Sequence, residues 1–441
     1  MKVYKGHIIY TKERQRFEVV ENGYVAVDDE GRIVSVAADL KSLRAQTAGV
    51  AALGAQGADS NCIANPSVQV VDFGNRLIIP AMNDLHVHAA QYHNQGIAMD
   101  HELLPWLNEY TFPEESKFAD LDYAERVYRR FVRALWQVGT MRAAIFATIH
   151  TPATRLLMEL LQAAGIGALV GKVGMDRNCP EVLREPADDY VRGMEELVAC
   201  SAPDGLVRPI VTPRFIPTCT PELLRACGET ARRYGLPVQS HLSENTSEVA
   251  WVRELEPDST GYGDAYRRYG LFGQVPTVMA HCVWSDADER QLMRDGGVVV
   301  AHCPTSNLNV ASGMAPVRTF LDEGLRVGLG SDISGGHELS IFRMMVYAIQ
   351  TSKMHYQRSN HRMAFLTLAE AFWMATKGGG SFFGRVGSFE TGYDFDALVI
   401  DDGALYPDEY TVLQRLERFI YIGDDRQIAH RFCRGREVVL A

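Results

Sequence analysis

Between residues 76 and 385 short apolar runs alternate with helix-like stretches, and this repeat limits the possible folds more than any other feature of the chain. Eight strand-like runs cover residues 77–88, 140–150, 168–176, 207–214, 238–241, 277–281, 298–303 and 327–332. Apolar residues at helical spacing fill the intervals, as over 123–138, 221–234, 287–295 and 316–323. Strand then helix, repeated in this way, predicts an α/β chain folded as a (β/α)8 barrel of the TIM type. Such a domain takes about 250 residues and carries its chemistry at the C-terminal ends of its strands.

The first run ends in His86-Val87-His88. Alternate side chains of a strand share a face, so these two imidazoles are directed at one point, which is a metal-site geometry. Two histidines do not hold zinc alone, because a catalytic site needs about three protein ligands and an open position for water. Candidates for the remainder also close apolar runs: His241 after Pro237-Val238-Gln239-Ser240, His281 after Thr277-Val278-Met279-Ala280, and Asp332 after Gly328-Leu329-Gly330-Ser331. One polar strand end means little, whereas four of them in one chain point to a shared metal site.

The flanks read differently. Short strands are expected at 8–10, 24–27, 33–36 and 68–71, with Glu30-Gly31-Arg32 as a turn, and again at 396–400, 419–422 and 437–440. Neither end has enough strands for a closed core. The expectation is one composite β-sandwich built from 1–75 and 386–441 beside a catalytic barrel over 76–385, with 45–66 as a partly helical or mobile surface insertion. A net charge of -11 argues against non-specific nucleic-acid binding, which needs a basic face. No apolar stretch at the start suits a secretory signal and no run of about twenty apolar residues occurs, so a cytoplasmic protein with no membrane partner is expected. The eight cysteines form no C-x-x-C pair, which indicates neither a zinc ribbon nor a disulfide framework.

Histidines on the first, fifth and sixth runs and an aspartate on the eighth follow, in order, the metal-site pattern of the amidohydrolase superfamily. The likeness sharpens around His86-Val87-His88-Ala89-Ala90-Gln91-Tyr92, Tyr110-Thr111-Phe112-Pro113, Phe146-Ala147-Thr148-Ile149-His150, Thr212-Pro213-Arg214-Phe215, Gln239-Ser240-His241-Leu242-Ser243-Glu244 and His302-Cys303-Pro304-Thr305-Ser306-Asn307-Leu308. Together these resemble the guanine deaminase family over nearly the whole chain, the insertion before the first run excepted.

That resemblance implies one zinc per chain, or Fe2+ as the alternative, held by His86, His88, His241 and Asp332, with His281 close to the metal-bound water. Members with two metals carry a carboxylated lysine where this chain has Arg214, and an arginine stays cationic, which favours a single metal. Lys172 is expected to be a paired or snorkelling side chain. Zinc lowers the pKa of its water, so the implied reaction is attack of hydroxide on C2 of guanine, giving xanthine and ammonia. Asp332 would serve as ligand and base, His281 would orient the nucleophile, and Glu244 would carry the proton to N3. The plain alternative for Glu244 is a helix-start carboxylate.

For substrate binding the resemblance assigns Gln91, Arg214 and Phe215, beside His241 and Asp332; Leu103 and Trp106 would wall the pocket. The alternatives are a structural salt bridge for Arg214 and a barrel-core aromatic for Phe215. His302 is expected to be framework, and His93, His101, His150 and His337 to lie near the active face. A homodimer is implied as well. Three rival readings stand beside this one: a deaminase of another heterocycle, such as a pterin, 8-oxoguanine or a triazine; a two-metal hydrolase of ring amides; and a barrel without catalysis.

Overall fold

The computed structural model describes residues 1–53, 69–405 and 409–440. Four strands open the chain: β1 (Lys2–Glu13), β2 (Arg16–Val27), β3 (Ile33–Ala37) and β4 (Gln69–Pro80). The central region contributes β5 (Met82–His88), β6 (Thr140–Phe146), β7 (Gly167–Gly171), β8 (Val173–Gly174), β9 (Val207–Pro209), β10 (Thr212–Pro213), β11 (Val238–Leu242), β12 (Thr277–His281), β13 (Val299–His302) and β14 (Arg326–Leu329). The last three are β15 (Ala397–Ile400), β16 (Ile428–Cys433) and β17 (Arg436–Glu437).

Strands from both chain ends share one seven-stranded sheet in the order β17-β16-β15-β4-β1-β2-β3. The expected sandwich, which needs two facing sheets, is therefore corrected to a single hydrogen-bonded sheet among the described residues. One face packs Tyr4, Ile8, Phe389, Phe395 and Phe432 together, and Ile9, Leu77, Ile79 and Leu398 join the core shared with the barrel region. The first apolar run is also corrected. It is two strands, because β4 stays in the seven-stranded sheet up to Pro80 and β5 starts a new sheet at Met82. Every residue from Leu77 to His88 is buried, so a continuous apolar run carries no mark of where one sheet hands over to the next. Pro80, with no N–H to donate, stands at that end.

Central strands pair in parallel as two four-stranded sheets, β5-β6-β7-β9 and β11-β12-β13-β14, while β8 and β10 form a short parallel pair of their own. Val211 N–H donates to Pro237 C=O at 3.0 Å and Gln239 N–H to Val211 C=O at 3.0 Å, which links the two sheets at one side. At the other, Asp332 N–H donates to His86 C=O at 2.8 Å and His88 N–H to Ile333 C=O at 3.0 Å. Between the sheets lie Leu85, Val278, Ala280, Val299, Ala301 and Cys303, the small and branched residues such an interior requires.

Helices cover the outside. That at Leu121–Gln137 begins where the Asp120 carboxylate accepts from the N–H groups of Asp122 and Tyr123, and it buries Val127, Tyr128, Phe131 and Leu135. Beyond its C-cap, Val138, comes Gly139, whose φ of 78° suits glycine; a Cβ there would lie 2.7 Å from Leu398. The expected strand at 419–422 is corrected to the end of a helix, Val412–Ile422, capped by Thr411. Val412, Leu416, Phe419 and Ile420 are its buried face, a helical spacing that a four-residue window hides. Of the expected strand at 437–440 only Glu437 belongs to a strand, β17, while Val438 N–H still donates to Arg431 C=O at 2.8 Å. In the 45–66 insertion the helix Leu40–Leu53 covers the first part, and 54–66 lie outside the described residues. No described helix is long and apolar enough to cross a membrane.

Candidate active site

Strand ends bring the candidate ligands together. His86 and His88 project from β5, with Val87 turned to the opposite face and its core. His241 lies on β11, His281 closes β12, and Asp332 follows β14. Ser243, His281, Cys282 and Asp332 all have positive φ, at 45°, 72°, 53° and 49°. Left-handed backbone at non-glycine residues is unfavourable and gathers where surrounding structure forces side chains into a site.

The Nε2 atom of His88 is 3.2 Å from Nε2 of both His86 and His241. Asp332 Oδ1 lies 3.2 Å from His86 Nε2 and 3.3 Å from His88 Nε2. One ligand atom each from His86, His241, His281 and Asp332 falls within 4.8 Å of the others. Around a tetrahedral zinc with Zn–N of about 2.0–2.1 Å the ligand atoms are about 3.3 Å apart, so these spacings fit one such ion. Protonation fits as well. Burial holds His86 below its ordinary pKa, His88 down at about 4, and His241 well below, which favours the neutral imidazoles a metal site requires. Burial pushes the Asp332 carboxyl up, but the adjoining His86, His88 and His281 overcome this and hold it well below the usual range.

The remaining bonds fix the rings. His241 Nδ1 meets the Arg214 carbonyl at 2.6 Å and His281 Nδ1 meets Asn307 Oδ1 at 2.9 Å. His281 Nε2 is buried with no hydrogen-bond partner among the described residues; Glu244 Oε2 stands 3.5 Å from it and Asp332 Oδ2 3.7 Å. Phe146 packs on His86, His88 and His241 with ring centroids 4.9, 4.5 and 4.9 Å away, a support that the sequence reading did not identify.

Glu244 does not cap the helix Thr246–Leu255. Asn245 does, in a capping box with Glu248, while Glu244 is buried and accepts from Ser312 Oγ at 3.1 Å. Burial first, then the Asp332 charge, pushes its pKa up to about 8, so its carboxyl carries a proton at neutral pH.

A pocket opens beside these groups, lined by His88, Gln91, Arg214, Phe215, His241, Glu244, His281 and Asp332, with Leu103, Trp106, Leu107 and Val310 as apolar wall. Arg214 is indeed in an ion pair, with Glu115 at 2.6 Å, yet it also faces the pocket, so the structural and binding alternatives coexist. Glu115, which the sequence reading passed over, accepts from Gln91 Nε2 at 2.8 Å as well. Its only signal was a pair of adjacent glutamates directly after the Tyr110-to-Pro113 motif.

Other expectations resolve more simply. Lys172 is fully buried and bonded to Glu185 and to the Ile149 carbonyl, and it does not line the pocket. His302 is buried, with neither ring nitrogen hydrogen-bonded among the described residues, and does not line the pocket. His150 lines a separate cavity with Glu185 and Pro186. His93 meets the Tyr123 hydroxyl at 3.1 Å, His101 meets Asp100 at 3.1 Å and His337 meets Asn309 at 3.0 Å; none lines the pocket.

Comparison with known proteins agrees with this geometry. Residues 77–438 match the Amidohydrolase family. Guanine deaminase of Dictyostelium discoideum is 37% identical over 449 residues, covering 99% of this chain and 98% of that protein. The Homo sapiens guanine deaminase is 36% identical over 381 residues, 83% of each chain. Among solved structures, guanine deaminase from C. acetobutylicum with guanine bound in its active site superimposes with a TM-score of 0.92 at 48% identity, covering 99% of this chain and 100% of that one. This chain belongs to the amidohydrolase family and, within it, to the guanine deaminases.

Proposed function

We propose that this protein hydrolyses guanine to xanthine and ammonia, a step of purine catabolism. The observation that carries this reading is one pocket in which a histidine and aspartate set spaced for a single divalent cation faces the buried Glu244 and the Gln91 and Arg214 side chains that Glu115 holds from behind. The proposed cation is one zinc per chain, Fe2+ being the alternative, held by His86, His88, His241 and Asp332. When bound, zinc supplies water acidified towards neutral pH as the nucleophile for C2.

Asp332, kept anionic by its neighbours, would take a proton from the attacking water, and His281 Nε2, which has no hydrogen-bond partner among the described residues, would orient it. Glu244 delivers its own proton to N3 as C2 is attacked. Asp332 then passes its proton to the exocyclic amine. Ammonia leaves, the C2 carbonyl forms, and the hydroxyl proton returns to Glu244. Arg214 and Gln91 offer N–H groups to the carbonyl and ring nitrogens of the base, and Phe215 packs against its face.

In the same reading the two four-stranded sheets form one closed (β/α)8 barrel, which the backbone bonds between them at both sides support. The chain divides into 1–75, 76–385 and 386–441, with the first boundary moved to Pro80, where β4 ends. Assembly as a homodimer is checked by light scattering. The decisive experiment incubates purified protein with guanine while ammonia and xanthine are followed and bound metal is counted. Equal amounts of both products with one metal per chain are expected; a metal-loaded protein that releases no ammonia from guanine ends the proposal.

A further inference from the structure

The helix Phe112–Ser116 places two glutamates side by side, about 100° apart around its axis, so they cannot face the same way. Glu114 turns to Lys117, at 2.5 Å, and to the Tyr123 hydroxyl. Glu115 turns inward. Its side chain is 4% exposed and that of Arg214 3% exposed, and one carboxylate oxygen takes Arg214 Nη1 while the other takes Gln91 Nε2. Gln91 Oε1 in turn accepts from Ser334 N–H at 3.1 Å, which fixes the orientation of its amide. A single carboxylate thus holds two of the groups proposed to read the base.

We infer that Glu115 is a positioning and charge-balancing residue that makes Arg214 a reader of neutral purines and a poor trap for anionic ones. The inference deepens the proposed function and rests on it. A buried guanidinium without its carboxylate is an uncompensated cation, and in a site shielded from water it attracts an anion far more strongly than a carbonyl. The proposed substrate and product differ in just this respect. Guanine is uncharged around neutral pH, whereas xanthine, with a carbonyl in place of the amine, is the stronger acid and ionises close to it. An unpaired Arg214 would hold that anion and slow its release. Paired with Glu115, the recognition end of the pocket carries no net charge.

Glu115→Gln tests this, because it keeps shape and an acceptor while removing the charge. Guanine KM is expected to rise and xanthine binding, measured by calorimetry and as product inhibition, to tighten by about tenfold relative to it, the gain growing as pH climbs through the ionisation of xanthine. Glu115→Asp keeps the charge but shortens the reach; it should raise guanine KM while leaving the pH profile of xanthine binding as in the parent. A merely structural role would weaken both ligands together and leave that profile unmoved in Glu115→Gln, which would overturn the inference. If the Gln variant fails to fold, the parent decides the matter: its charge-balanced site should not bind xanthine more tightly as pH climbs through the ionisation of xanthine, and tightening over that range counts against the inference. An active parent with an unaltered profile in Glu115→Gln removes this inference alone. A parent that does not turn over guanine removes the proposed function and this inference with it.

Discussion

Two glutamates four residues apart, Glu244 and Glu248, are both buried, and burial pushes both carboxyls up, to about 8 and about 7. They differ in what they touch. Glu244 faces His281, whereas Glu248 accepts the N–H groups of Glu244 and Asn245 and the Tyr262 hydroxyl at 2.6 Å. Glu244→Gln should retain the parent's metal content and lose about 10²- to 10⁴-fold in kcat for guanine, the usual share of a proton carrier. Near-parental turnover, or loss of the metal, would show that the role is misassigned. For Glu248 the consequence is stability. Its pKa rises on folding from 4.5, so the stabilising contribution of the protonated form is complete below that value and is lost as pH climbs through about 7. Glu248→Gln, uncharged at every pH, should therefore gain in melting temperature relative to the parent between pH 5 and pH 8, set here as roughly the window between the two states' pKa values. A difference independent of pH would contradict the assignment.

Legibility varied from one secondary-structure element to the next. The helix Leu121–Gln137 was legible over 123–138 because apolar residues recur there at helical spacing; the capping Asp120 came to light only in the structure. Removing that cap with Asp120→Ala leaves two N–H groups without their acceptor and should cost about 1 kcal/mol, read as a small drop in unfolding midpoint with activity intact. No change in midpoint would mean that water replaces the carboxylate without loss. The segment 419–422 misled because four apolar residues in a row fit strand and helix alike; the capping Thr411 and the turn-spaced Val412 and Leu416 settle it as helix. In the first apolar run the error was of a different kind. Its strand character was right, but a uniformly buried stretch gives no sign that it serves two sheets.

At the scale of the whole molecule the two sheet systems are held together by a buried ion pair. Arg142 on β6 donates to Asp396, just before β15, at 2.6 Å and to Asp394 at 3.0 Å, with side chains 5%, 1% and 18% exposed. Loss of one partner from such a buried pair strands the other, so Arg142→Ala should destabilise the protein by about 3–5 kcal/mol in chemical denaturation. A loss below about 1 kcal/mol, the range of exposed pairs, would show that the junction does not depend on it. Sequence alone determined the alternation that specifies a parallel β/α architecture and the chemistry offered at each strand end, because burial periodicity and ligand type are properties of short segments. It had no means of reporting that Glu115, 24 residues from Gln91 and 99 from Arg214, closes both into one array, or that the two chain ends share a sheet. Those contacts join segments remote in the chain, and only the packing of the folded molecule determines which of the available partners a buried charge or an open strand edge meets.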